Sequence, residues 1–210
     1  MIRILCYGDS NTYGYIPGRG GRYDCHTRWT GRLQDLLGSG YQILEEGLCG
    51  RTTIFDDRTE PGRNGLNRIR DAVEQNQPLD VLIIMLGSND CKAQFGASAK
   101  EISAGLEQLL EKAGYHEEFG FHVLLIAPAA MTERVTHSGF GSEFDRRSVE
   151  VSKALAQEYE ILAQKCDCDF LDGTKATKVS ETDGLHLDAE GHRRLAEAVY
   201  KWVKKQTGEM

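Results

Sequence analysis

Ser10 stands in the run Gly8-Asp9-Ser10-Asn11, and near the other end of the 210-residue chain Asp183 precedes His186 by three residues. A serine hydroxyl is a weak nucleophile unless a base takes its proton, and histidine is the usual base near neutral pH. Six histidines are present, at positions 26, 116, 122, 137, 186 and 192. Only His186 combines a loop position, an acid three residues upstream and a capped helix just downstream. One turn of chain lets Asp183 accept the imidazole N–H, which aims the other ring nitrogen at Ser10 and stabilises the imidazolium as it forms. Asp-x-x-His is also common in surface turns, so the pair carries little by itself. His192, four residues after Asp188, reads as half of a surface pair on a helix. Asp172 is a rival orienting acid.

Attack on a carbonyl also requires donors for the oxyanion that develops. Gly50 suits this because no side chain keeps its amide from the substrate. The Ser10 amide is a second donor, and Asn89 offers a neutral side-chain N–H. Elsewhere, an asparagine or glycine in a loop is an ordinary turn residue.

Five apolar runs must position these groups: Ile2–Tyr7, Tyr41–Glu46, Val81–Leu86, Phe121–Ala127 and Asp169–Leu171. Continuous apolar strands are buried on both faces, as in a parallel sheet covered by helices. Helical spacing fills the intervals: Trp29, Leu33, Leu36 and Leu37 after a Thr27 cap; Leu66, Ile69 and Val73; Ile102, Leu106, Leu109 and Leu110; Val151, Leu155 and Leu162; and Leu195, Val199, Trp202 and Val203 after an Asp188 cap. Alternating strands and helices predict an open parallel sheet with right-handed crossovers in a single domain spanning residues 1–210. Ligands in such sheets sit beyond the carboxyl ends of the strands, where the blocks at 8–11, 47–50 and 87–90 stand, with 183–186 following the fifth strand. Segment 129–147 is irregular and reads either as a substrate-facing loop or as a solvated connection. The tail 204–210 reads as frayed.

Composition narrows the function. Hydrophobic residues are 40% and charged residues 27%, as in a folded soluble chain. With 25 basic and 32 acidic residues the net charge is −7, a poor match to nucleic acid, whose phosphates need a basic face. No apolar run approaches a membrane span, and Met1–Tyr7 leaves no room for a signal peptide, so the expectation is a cytoplasmic protein with no membrane partner. The six cysteines include no Cys-x-x-Cys pair and read as reduced, mostly buried thiols rather than a zinc site. No cofactor or metal is called for.

Together these blocks resemble the SGNH hydrolases, the GDSL esterase/lipase superfamily. The nucleophile block is Gly8-Asp9-Ser10, with Asn11 where leucine is usual; the glycine block matches Gly50, the Gly-x-Asn-Asp block matches Gly87 to Asp90, and the Asp-x-x-His block matches Asp183 and His186. The resemblance implies a flavodoxin-like three-layer α/β/α sandwich with a five-stranded parallel sheet. It also implies Ser10 as nucleophile, His186 as base, Asp183 as its partner, and Ser10, Gly50 and Asn89 as oxyanion donors. Residues 1–95 and 180–200, with Tyr13-Gly14-Tyr15, Arg28-Trp29-Thr30-Gly31, Arg51-Thr52-Thr53 and Asp56-Asp57, look like the bacterial arylesterase/acyltransferase branch. Members of that branch act on short acyl and aryl esters, some with acyl transfer, and are often homo-oligomers.

The expected activity is therefore a serine esterase that hydrolyses, or transfers, short acyl groups of small esters through an acyl-enzyme. A carbohydrate O-acetylesterase, a thioesterase or a lysophospholipase would use the same triad. From a different class, the Ser10-Asn11-Thr12 loop after a first strand would also suit a phosphate- or flavin-binding module. Tyr13 and Tyr15 follow the nucleophile directly and read as one wall of the acyl site or as ordinary packing. Arg51, Asp56, Asp57 and Arg58 read as a solvated, ion-paired loop or as a pocket rim or oligomer contact.

Overall fold

In a computed structural model, which describes residues 1–114 and 120–208, the first apolar run forms strand β1, Ile2–Gly8. Helix α1 (Ser10–Tyr13) follows at once, then α2 (Trp29–Leu37) and β2 (Tyr41–Gly47). Next come α3 (Ile69–Gln75), β3 (Val81–Met85), α4 (Ala99–Ala113), β4 (His122–Ala127), α5 (Arg146–Lys165), β5 (Asp169–Asp172), α6 (Gly173–Ala176) and α7 (Ala189–Gln206). All five strands are parallel, in the order β2-β1-β3-β4-β5.

Strand alternation divides the core in two. Leu5 and Tyr7 of β1 pack with Ile69 of α3, Leu106 of α4 and Leu155 of α5. Ile4 and Cys6 turn to the opposite face and pack with Leu33 of α2 and with Leu195 and Val199 of α7. The layers are thus helix, sheet, helix, as expected, and each large apolar side chain so buried contributes roughly 1.5–3 kcal/mol. The chain winds from β1 to β2 on one side and then to β3 on the other. At that reversal, the carboxyl ends of β1 and β3 splay their connections apart and open a crevice.

Local chemistry sets the helix starts. Asp188 caps α7 by accepting from the Gly191 N–H at 2.8 Å, and Ser98 with Glu101 forms a reciprocal cap on α4. Thr27 does not cap α2. Arg28 occupies that position without a side-chain cap, because the Thr27 hydroxyl donates to Asp24 instead, at 2.9 Å. Leu36 leaves the buried stripe and lies exposed. His192 is fully buried rather than a surface partner of Asp188; it lies on the same face as Leu195 and Val199, and its Nδ1 accepts from the Trp29 N–H at 3.2 Å. The tail is helical through Gln206, while Glu209, Met210 and the histidine at position 116 lie outside the described residues. The cysteines are free, but only Cys6 and Cys91 are buried. Among the described residues, no helix is long and apolar enough to cross a membrane, and no cluster of three His, Cys, Asp or Glu could hold a metal ion.

Candidate active site

The connection from β1 into α1 is abrupt. A Cβ on Gly8 would lie 2.1 Å from Thr12 Oγ1, so a larger residue would push the helix away. Asp9 caps α1 by accepting from the Asn11 N–H at 2.9 Å, which makes Ser10 the first helical residue. The Ser10 hydroxyl lies 3.0 Å from His186 Nε2, and His186 Nδ1 lies 2.8 Å from Asp183 Oδ2. Ser10, His186 and Asp183 are 7%, 3% and 2% exposed, so water screens these contacts little. Burial pushes the Asp183 carboxyl upward. Hydrogen bonds from the His186 ring and from the backbone N–H groups of His186 and Leu185 outweigh that push and hold it below the ordinary carboxylate range. The rival acid, Asp172, instead caps α6 by accepting from Thr174 N–H and Lys175 N–H.

The loop that bears His186 is fastened to the helix that bears Ser10. Asn11 Nδ2 donates to the Leu185 carbonyl at 3.3 Å, and its Oδ1 accepts from the Leu187 N–H at 2.9 Å. This side chain, at the position where the family usually has leucine, bridges two segments 174–176 residues apart. Ser10 and Asn11 thus turn their side chains to His186 and to the loop that bears it.

The oxyanion candidates reach the same cavity. Ser10, Gly50, Asn89 and His186 all line a space of about 160 Å³, together with Tyr15, Cys49 and Leu185. Gly50 has φ 79°, and a Cβ there would lie 2.5 Å from Glu60 Oε2. Asn89 Nδ2 donates one hydrogen to the Arg51 carbonyl at 3.1 Å, which leaves its other hydrogen for the cavity. Asp90 accepts from the Thr53 N–H at 2.8 Å and from its hydroxyl, tying the Gly50 connection to the Asn89 connection. Asp9 and Asp90 are both buried, and the Asp9 carboxylate pushes the Asp90 pKa upward. Burial raises Asp9 to about 6, against the Asn11 N–H, and Asp90 to about 7, against the Thr53 hydrogen bonds.

The two tyrosines part company. Tyr15 lines the cavity with its ring 4.4 Å from that of His186. Tyr13 does not: the Gly14 turn, φ 88°, ends α1 after it, and the Arg22 guanidinium covers its ring at 4.8 Å. Segment 129–147 faces the cavity, because Phe140, Glu143 and Phe144 line it and the Phe140 ring stands 5.1 Å from His186.

Arg51 and Asp57 are not solvated. Arg51 is buried with its guanidinium 4.0 Å from the Tyr7 ring centroid, donating to the Gly8 carbonyl at 2.9 Å and to the Glu46 carbonyl. Asp57 pairs with Lys92 at 2.8 Å, and Lys92 also pairs with Glu143 at 2.7 Å. The Lys92 and Asp57 side chains are 2% and 0% exposed. Nothing in the sequence alone distinguishes Lys92 from a surface lysine, yet it joins three connections around the cavity, and Glu60 and Glu143 lie on the cavity wall.

Residues 6–194 match the GDSL-like lipase/acylhydrolase family. An acetylxylan esterase from Xylanibacter ruminicola is 24% identical over 97% of this chain, which spans 43% of that protein's length. A carbohydrate acetylesterase from Sinorhizobium meliloti is 34% identical with a TM-score of 0.90, over 98% of this chain and 100% of that one. The aryl esterase of M. smegmatis is 31% identical with a TM-score of 0.90, over 98% and 99% of the two chains.

Proposed function

Because this chain belongs to the GDSL-like lipase/acylhydrolase family and is a carboxylic ester hydrolase, we propose that Ser10, His186 and Asp183 cleave esters of short acyl groups through an acyl-enzyme. The observation that carries this reading is the buried run of contacts from Asp183 through His186 to Ser10. Ser10 Oγ attacks the ester carbonyl carbon while its proton passes to His186 Nε2. The carbonyl π pair moves to oxygen, and that oxyanion accepts from the Ser10 and Gly50 N–H groups and from the second hydrogen of Asn89 Nδ2. Collapse of the tetrahedral species breaks the bond to the alcohol oxygen, which leaves with the proton from Nε2. Water then attacks acyl-Ser10 by the same steps. Asp183 stays ionised throughout, fixes the tautomer and stabilises the imidazolium.

The small cavity, lined by Phe140, Phe144 and Leu185, supports a short acyl group. An alcohol that displaces water in the second half of the cycle would leave with the acyl group, so transfer uses the same machinery. Removal of acetyl groups from a carbohydrate is a second reading. Glu60 and Glu143 favour it as acceptors for sugar hydroxyls on the cavity wall, and two of the relatives bear such names.

Turnover of p-nitrophenyl acetate against the octanoate, for wild type and Ser10→Ala, tests the proposal. Acetate should be preferred, and Ser10→Ala should lose nearly all turnover; an active Ser10→Ala enzyme would overturn it. Acetylated xylo-oligosaccharides, compared with the aryl ester, separate the two substrate readings.

A further inference from the structure

A second, larger cavity lies across the Tyr15–Phe140 ridge from the nucleophile. It measures about 580 Å³ and shares Tyr15, Phe140 and Asp183 with the surroundings of the triad. His186 forms the ridge with these two rings, at 4.4 Å from Tyr15 and 5.1 Å from Phe140. The far walls of this cavity carry Arg19, Arg134 and His137.

In a chain of net charge −7, Arg19 and Arg134 belong, with Arg3, Arg32, Arg58 and Arg147, to the minority of arginines that pair with no carboxylate among the described residues. Most arginines of the described residues pair with a carboxylate, as Arg28 does with Glu45 and Arg193 with Glu190. Among the described residues, Arg19 and Arg134 have no carboxylate within 4.0 Å. Arg134 is nonetheless held in place: its Nε donates to the Thr182 carbonyl at 3.2 Å, next to Asp183, and both terminal nitrogens remain available. Arg19 sits on the tip of a tight turn whose Gly20 N–H donates to the Ile16 carbonyl at 3.0 Å. A guanidinium fork with free terminal nitrogens matches a carboxylate in a bidentate manner.

The two cavities differ in how their charges are matched. On the wall of the nucleophile's cavity, Lys92 stands 3.7 Å from Glu60 and 2.7 Å from Glu143, so those charges pair with one another. On the wall of the other, Asp183 is held by His186, while Arg19 and Arg134 have no carboxylate partner among the described residues. An anionic group on a substrate therefore meets unpaired guanidinium groups in the second cavity. On the first reading above, in which the smaller cavity takes the acyl part beside the oxyanion donors, the alcohol part is the portion free to extend over the ridge, on the side of the base that protonates it.

We infer that the cavity lined by Arg19 and Arg134 is a subsite for a carboxylate carried by the alcohol or phenol part of the ester, with Tyr15 and Phe140 contacting its apolar body. This inference rests on the acyl-ester reading above and adds a leaving-group specificity to it.

The test is a matched pair of acetyl esters: 4-acetoxybenzoate, anionic, and its neutral methyl ester. The readout is the ratio of their kcat/KM values, anionic over neutral, at low ionic strength. In the Arg19→Ala/Arg134→Ala enzyme this ratio should fall roughly five- to tenfold, the scale expected for two partly exposed charge-assisted contacts. Arg134→Lys, which keeps the charge but loses the fork and the Nε bond to Thr182, should give a ratio between those of the wild type and the double variant. Arg19→Ala alone, on an exposed turn away from the triad, should lower it by roughly twofold or more. Salt at about 1 M should bring the wild-type ratio down towards that of the double variant, since screening then reaches within about 3 Å. If the wild type turns over both esters and neither the variants nor salt moves the ratio, the subsite is refuted while the esterase reading stands. If the wild type turns over neither ester, both fail.

Discussion

Replacing Lys92 with methionine keeps the volume of the side chain and deletes its charge. In the native protein Lys92 Nζ lies 2.8 Å from Asp57 Oδ2 and 2.7 Å from Glu143 Oε2. The Glu143 side chain is 39% exposed and can turn to water, but the Asp57 side chain has no exposed surface. Removing one partner of a buried ion pair typically costs about 3–5 kcal/mol, because the remaining charge is stranded. Asp57 keeps its bonds from the Thr59 hydroxyl at 2.6 Å and the Thr59 N–H at 2.9 Å, so we expect the lower half of that range. For a chain of this size, that is a fall in Tm of roughly 6–16 °C. The pH dependence identifies the cause. Burial pushes the Asp57 pKa up, but hydrogen bonds from Lys92 and Thr59 dominate and hold it well below the carboxylate range. In the wild type, Asp57 therefore contributes stability that is present above its unfolded value of about 3.9 and is lost as pH falls through the lower folded value. Without the ammonium, desolvation loses its main opponent and the folded pKa rises. The deficit of Lys92→Met should be full at pH 7 and shrink as pH falls below about 5, where Asp57 takes up a proton. Urea unfolding of wild type, Lys92→Met and Lys92→Met/Asp57→Asn at pH 7 and pH 4.5 measures this, and the double variant should regain part of the loss at pH 7. A deficit below about 1 kcal/mol at pH 7, or one equal at both pH values, would refute the buried-charge argument.

Three other substitutions probe the site. Asn89→Ala should lower kcat on p-nitrophenyl acetate by roughly 10²–10³, the effect of deleting one oxyanion donor; a wild-type rate would remove Asn89 from that role. Asn11→Leu, which installs the residue usual in the family, leaves the Leu185 carbonyl and the Leu187 N–H without their partner. It should cost about 1–3 kcal/mol in unfolding free energy and lower kcat as the His186 loop loosens, both read on the same preparation. Asp9→Asn keeps an acceptor for the Asn11 N–H and removes a carboxyl whose folded pKa burial has raised to about 6. A raised acid makes folding less favourable as pH climbs from about 4 through 6, so the stability of Asp9→Asn relative to wild type should improve between pH 4 and pH 7. The gain should be on the order of 2 kcal/mol, and a flat difference across that window would contradict the burial argument.

The sequence was most informative where signals are local. Strands β1 and β3 are short continuous apolar runs followed at once by Gly8-Asp9-Ser10 and by Gly87 to Asp90, so those two blocks could be set at strand ends without knowing the packing. What escaped depends on long-range approach. Lys92 meets Asp57 across 35 residues of sequence, and charged residues in loops look alike until they are buried. Asn11 departs from the family pattern, and its role is invisible in the sequence because its partners lie 174 and 176 residues away. The spacing of His192 from Asp188 suggests a surface pair, whereas the side chain is buried. Its place on the same stripe as Leu195 and Val199, three and seven residues on, was the better guide to burial. Tyr13 and Tyr15 stand three and five residues after Ser10, yet the left-handed turn at Gly14 between them leaves the farther one to meet His186.

The proposed catalysis requires a single activated hydroxyl, that of Ser10. Treating the folded enzyme with a fluorophosphonate probe and mapping the modified peptide tests it directly. The expected result is stoichiometric phosphonylation of Ser10, with loss of esterase activity in proportion and no labelling of His186→Ala at the same exposure. Labelling at another residue, or full activity after Ser10 is modified, would contradict it.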